Sequence, residues 1–268
     1  MNSKVRIVAA PLVAALIAAC SSDNAGHVSL ALSSIRPPSA AASAALSGLA
    51  LSPTVVTAGD STVIALGNDT IIVRSAELVV RKVELKRVEA EGCDDVVGNG
   101  DCDEFETGAV LATLPLGTTA TETVLSVNAP PGMYDQLEFT IHKPEAPEDA
   151  DFLAANPTFA GVSIRVKGTY SQAGTRSEFT FESDLNEDQE IALSPPLTVT
   201  DGQPANVTLR IDIASWFLNG AGTALVDPAT ANKGQPNENV VRDNIEGSID
   251  AFRDDDHNGH DDDGEDHT

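Results

Sequence analysis

From about residue 54 onward the chain alternates apolar and polar residues, and glycine, proline, asparagine or aspartate breaks the pattern every few positions. Successive side chains of a strand point to opposite faces, so this alternation suits a half-buried sheet and not a helix. Strands are predicted at Thr62–Leu66 and 70–73, around a turn at Gly67, Asn68 and Asp69. Others are predicted at 76–90, 109–114, 123–127, 136–142, 162–170, 178–182, 189–193 and 206–213. A run at 27–32 is one more strand candidate. No long helical pattern separates them, which points to a mainly β protein, an antiparallel β-sandwich of roughly ten short strands.

Aromatic residues make up only 4% of the chain, so the core must be built from Val, Leu, Ile and Ala. Two segments depart from the strand pattern. Residues 214–218 (ASWFL) suit a single helical turn, with Trp216 or Phe217 closing one end of the core. In 237–253, Val241, Ile245, Ile249 and Phe252 recur at helical spacing and predict a short C-terminal helix. Ile245, Gly247, Ile249 and Ala251 also alternate, so a final strand is the competing reading.

The first nineteen residues read as an export leader. Lys4 and Arg6 precede an uncharged, almost wholly apolar stretch at 7–19, too short to span a bilayer. It closes on Ile17, Ala18 and Ala19 before Cys20. This order resembles the lipobox of bacterial lipoproteins, in which the cysteine is diacylated and becomes the new N-terminus; ordinary cleavage after Ala19 is the alternative. Two or more acyl chains, at ~0.8 kcal/mol per buried methylene, hold a domain on a membrane. Ser21, where inner-membrane retention uses Asp, implies the outer membrane by the same resemblance. Residues 20–53, rich in Ala, Ser and Pro after residue 34, read as a tether, 54–253 as the sandwich with its helix, and 254–268 as an acidic tail. This layout puts the lipid at one end of the molecule and the tail at the other.

Loss of the leader removes Lys4 and Arg6, leaving 14 basic residues against 41 acidic ones, a net charge of −27. Such a chain offers no clustered cations for phosphate backbones, which excludes nucleic acid as a partner on electrostatic grounds. Its membrane contact must come through the acyl chains, and no surface ligand is legible. Cys93 and Cys102, an even pair in an exported chain, are expected to form a disulfide worth ~2–3 kcal/mol in the chain-entropy picture. The acidic residues around it (Asp94, Asp95, Asp101, Asp103, Glu104) fit no loop template and read as solvated surface.

Four stretches resemble a family of bacterial surface lipoproteins of unknown function with a transthyretin-like, immunoglobulin-like sandwich. They are 76–85 (AELVVRKVEL), 129–141 (APPGMYDQLEFTI), 211–217 (IDIASWF) and 244–256. None is a catalytic signature. The resemblance implies a cell-envelope lipoprotein with an adhesive or ligand-binding role, and it transfers no functional residue.

Residues 254–265 (DDDHNGHDDDGE) carry the chain's metal chemistry. Calcium needs six to eight oxygen ligands wrapped by a tight turn. In a twelve-position loop, Asp254, Asp256, Asn258 and Asp262 supply positions 1, 3, 5 and 9. The His260 carbonyl supplies position 7, Glu265 position 12, and Gly259 the sharp turn at 6. The pattern resembles EF-hand loops and the D-x-D-x-N-G-x-x-D repeats of extracellular calcium proteins, and a helical 237–253 would supply the incoming helix. Asp261 stands where an EF-hand places an apolar residue, and too few residues follow for an exit helix. Affinity is expected on the order of 10⁻⁴–10⁻³ M. The competing readings are an inert solvated tail and a transition-metal site using His257, His260 and His267.

No nucleophile elbow, zinc-protease helix, phosphate loop or dinucleotide fingerprint is present. His142, at the end of a predicted strand, is expected to face solvent. The chain thus reads as a non-catalytic, lipid-anchored envelope protein with a binding, adhesive or structural role. Its alternatives are a weak calcium module and a hydrolase using an unrecognised carboxylate pair.

Overall fold

The computed structural model of the chain describes residues 26–34, 53–88, 104–105, 108–117, 121–256 and 261–262. The strands among them are β1 (Gly26–Ser33), β2 (Thr54–Thr57), β3 (Thr62–Leu66), β4 (Asp69–Arg87), β5 (Glu104–Phe105) and β6 (Val110–Thr113). They continue as β7 (Glu122–Ala129), β8 (Gly132–Ile141), β9 (Ile164–Gln172), β10 (Thr175–Ser183), β11 (Glu187–Val199), β12 (Pro204–Ile211) and β13 (Ile249–Arg253). Helices are few and short: α1 (Ala150–Ala155), α2 (Ile213–Trp216) and α3 (Glu238–Glu246). The mainly β expectation holds.

Two sheets form the architecture. The smaller runs β13-β12-β1-β7; the larger runs β10-β9-β4-β3-β2, with β5, β6 and β8 on β4 and β11 on β8. They face each other through Val28, Leu30, Leu125 and Val207 on one side and Val83, Leu85 and Leu137 on the other. Every described pairing is antiparallel except β1 with β12, which is parallel. The folded unit also begins earlier than residue 54. β1 sits inside the smaller sheet with Val28, Leu30, Ala31 and Leu32 buried, so residues 26–33 are core and not tether.

Strand β4 is the spine, and its sequence explains its length. The apolar residues it gives to the core cluster run Ile71, Val73, then Ala76, Leu78, Val80, then Val83, Leu85, while Val79, also buried, lies outside that cluster. That series changes phase twice. Pairing slips between Val73 and Ser75 against β9, and between Arg81 and Glu84 against β8. Each bulge inserts one residue and returns the apolar set to the core face, where a regular strand would turn it outward. The β3–β4 turn uses two residues, with Leu66 opposite Asp69, and the positive φ of 62° falls at Gly67. That is the pattern of a II′ hairpin.

The C-terminal segment divides between its two competing readings. Val241 and Ile245 are fully buried on α3, but the helix ends at Glu246, with Gly247 as its C-cap. From Ile249 the chain pairs with β12, Ile211 opposite Ile249 through Val207 opposite Arg253. Glycine is a poor helix former, and an open edge of β12 offers a full ladder of backbone hydrogen bonds. Together these stop the helix one residue after Ile245. Trp216 and Phe217 are buried as expected, Phe217 meeting Phe179 and Phe181 edge-on at 6.0 and 5.3 Å.

An ion cluster clamps α3 to the larger sheet. Asp184 accepts from Lys233 Nζ at 2.7 Å and Arg242 at 3.1 Å. The Lys233 hydrogen bond, with the charges of Lys233, Arg242 and Lys143, outweighs burial and holds the Asp184 carboxyl below its ordinary value. A carboxylate depressed in the folded state stabilises the fold above its unfolded pKa of about 3.9, and that contribution disappears as pH falls through the folded value. Asp184→Asn is therefore expected to lower the melting temperature at pH 7 and to flatten its decline below about pH 4. Melting curves between pH 7 and pH 2 check both.

Candidate functional site

Asp254 follows directly on β13 and is completely buried. Its backbone N–H donates to the Asn206 carbonyl at 3.2 Å, which extends the β12–β13 ladder by one residue. Its Oδ2 accepts from Thr208 Oγ1 on β12 at 2.8 Å. Three further bonds fold the following residues back. Asn206 Nδ2 donates to the Asp255 carbonyl at 3.2 Å, and Asp262 N–H donates to the Arg253 carbonyl at 3.1 Å. The backbone N–H of Asp255 in turn donates to Asp262 Oδ2. Arg253 is engaged with Asp255, through Nε at 2.9 Å and a terminal nitrogen at 2.6 Å.

The consequence is that one carboxylate oxygen each from Asp254, Asp256 and Asp262 lies within 4.8 Å of the others. These are positions 1, 3 and 9 of the expected loop. Asp254 is buried, while Asp256 and Asp262 are exposed, so the group opens to solvent on one side. Hard oxygen donors gathered this way suit a hard divalent cation better than imidazole-seeking metals. Asn258, His260 and Glu265 lie outside the described residues, as do His257 and His267. So do Cys20 and the Cys93–Cys102 pair. No family model, curated protein or solved structure matches the chain. Function therefore rests on the geometry of the site.

Two expectations need correction. The loop is entered from strand β13 and not from a helix, because α3 ends seven residues before Arg253. An EF-hand's entering helix is thus missing. The loop also does not lie at the opposite end of the fold from the start of β1. Asn206, which holds Asp254, pairs with Ser29, close to the start of β1. The parallel β1–β12 pairing and the antiparallel β12–β13 pairing bring the start of β1 and the end of β13 to the same end of the smaller sheet.

His142 is a third correction. It is buried, not solvent-facing, and its Nε2 meets Asp149 Oδ2 at 2.8 Å. Burial by itself would raise Asp149. The Glu145 backbone N–H at 2.8 Å, the His142 ring and the Arg81 charge overcome it and hold the carboxyl below its ordinary range. The pair spans the turn between β8 and α1, and only that turn's fold brings the two residues together.

Proposed function

We propose that the protein is a non-catalytic, lipid-anchored β-sandwich of the bacterial envelope, held at Cys20, whose C-terminal loop takes calcium. The observation that carries the calcium reading is the convergence of Asp254, Asp256 and Asp262 within 4.8 Å at the loop positions that bind it. Asn258, Glu265 and the His260 carbonyl bring the oxygen count to six, the minimum calcium accepts. The leader supports the anchor: Lys4 and Arg6, an apolar stretch, then Cys20. Five residues separate Cys20 from Gly26, six steps and at most ~22 Å of extended chain. A domain tied so closely turns the start of β1, and with it the calcium loop, toward the membrane. The body of the sandwich, with its binding, adhesive or structural role, is then presented outward.

Calorimetry with calcium on the chain from Cys20 onward tests the reading, with and without residues 254–268. The intact protein should give saturable heat with a dissociation constant on the order of 10⁻⁴–10⁻³ M, and the truncated one none. Matching traces would sink the calcium reading and leave the tail as solvated acid.

A further inference from the structure

Neighbouring residues of a regular strand point to opposite faces, yet Arg81 and Lys82 on β4 line the same cleft. The cause is the second β4 bulge. Pairing with β8 jumps from Arg81 opposite Thr140 to Glu84 opposite Glu138, and Lys82 takes a φ of +50°. A residue with a Cβ adopts that left-handed conformation only when its surroundings impose it. Here the effect is to set two cations side by side on a chain of formal charge −25.

The cleft has a volume of about 420 Å³. Gly108, Thr140, His142, Glu148 and Asn186 complete its wall. Arg81 meets Glu148 at 2.5 Å and Asp149 at 3.9 Å, both through one terminal nitrogen. That leaves the other arm of its fork and Nε as donors. Lys82 Nζ has Glu84 only at 3.9 Å, beyond hydrogen-bonding reach. Asn186 uses its carbonyl oxygen on the Lys143 N–H, at 3.1 Å, so its amide hydrogens remain. His142 is fixed through Nε2 on the buried Asp149, and Nδ1 is its remaining polar atom. Thr140 Oγ1 already donates to Asp188 at 2.6 Å, and Glu148 is the carboxylate of the wall. The donors left around the Arg81 fork are its second arm and Nε, Lys82 Nζ and the Asn186 amide, a set suited to a carboxylate or phosphate oxygen.

We propose that this cleft binds a small ligand through an anionic oxygen group, with Arg81 and Lys82 as its cationic contacts and His142, oriented by Asp149, beside them. The site is separate from the calcium loop and does not depend on it.

Lys82→Gly separates this role from a structural one. Glycine adopts the left-handed conformation at no steric cost, so the variant keeps the bulge, relieves its strain and removes the cation. It is expected to melt about 2–4 °C higher than the parent. The full chain is titrated with inorganic phosphate and, separately, with succinate, following backbone amide resonances by NMR. The expected result is saturable shifts at Arg81, Lys82, Thr140, His142 and Asn186 with at least one probe. Saturation by phosphate alone assigns a phosphoryl ligand, and by succinate alone a carboxylate ligand. Lys82→Gly should weaken that binding at least about tenfold, and Lys82→Asn, which also tolerates the conformation, should do the same. The proposal is overturned if neither probe moves those resonances. It is equally overturned if the two variants bind as the parent does.

Discussion

Replacing Gly168 with alanine is expected to cost about 3 kcal/mol or more, enough to leave the protein largely unfolded at 37 °C if its total stability is ordinary. Gly168 sits in the middle of β9, with Val73 of β4 on one side and Phe179 of β10 on the other. A Cβ built there would lie 2.0 Å from the Ile72 carbonyl oxygen, 3.0 Å from its carbon and 3.1 Å from the Phe179 ring. The obstacle is backbone, and it belongs to β4, which simultaneously pairs with β3 and β9. Moving it would open both ladders. This glycine is needed for close approach of two strands at a bulge and not for a special φ. Urea unfolding measures the effect. A loss under about 1 kcal/mol would mean that β4 and β9 are not registered as described.

Trp216→Ala carries the second large effect, about 3–5 kcal/mol. Trp216 is 1% exposed and closes one end of the core from the short helix α2. Its indole N–H donates to Ser248 Oγ at 2.8 Å, and Asn244 Nδ2 donates to its backbone carbonyl at 3.0 Å. These bonds lock α2 against the end of α3, beside the point where the chain turns into β13. Ser248→Ala isolates the indole bond and should cost only about 1 kcal/mol, because the large packing contribution survives. Since Trp216 is the single tryptophan, intrinsic fluorescence during unfolding reports on this end of the core directly. Equal losses for the two variants would contradict a packing role for the ring.

What the sequence made legible follows from how local each feature is. Strand β3 matches its prediction at both ends, and β6 to β12 match in position, because alternation is a property of a few consecutive residues. The stretches at 70–73 and 76–90 read as two strands, since the bulge at Arg74 interrupts the alternation that the backbone continues. Strand β2 went unseen: Val55 and Val56 are exposed on an outer strand, so its sequence carries no buried-face pattern. The helix–strand switch at Gly247 depends on the open edge of β12, some forty residues away. The aspartate loop is legible because its acidic residues lie within a dozen positions. Its position is not, because the β1–β12 pairing that sets it joins Ser29 to Asn206. The His142–Asp149 pair and the cleft beside it depend on a turn and a bulge, and neither has a sequence signature at that spacing.

Nothing tests the proposed calcium site more directly than a crystal of the chain from Cys20 onward, grown in millimolar calcium and measured for anomalous scattering. The expected result is one strong peak beside Asp254, with oxygens of Asp254, Asp256 and Asp262 at about 2.3–2.6 Å and residues 258–265 wrapped around it. A map with no peak among those three carboxylates at saturating calcium would contradict it.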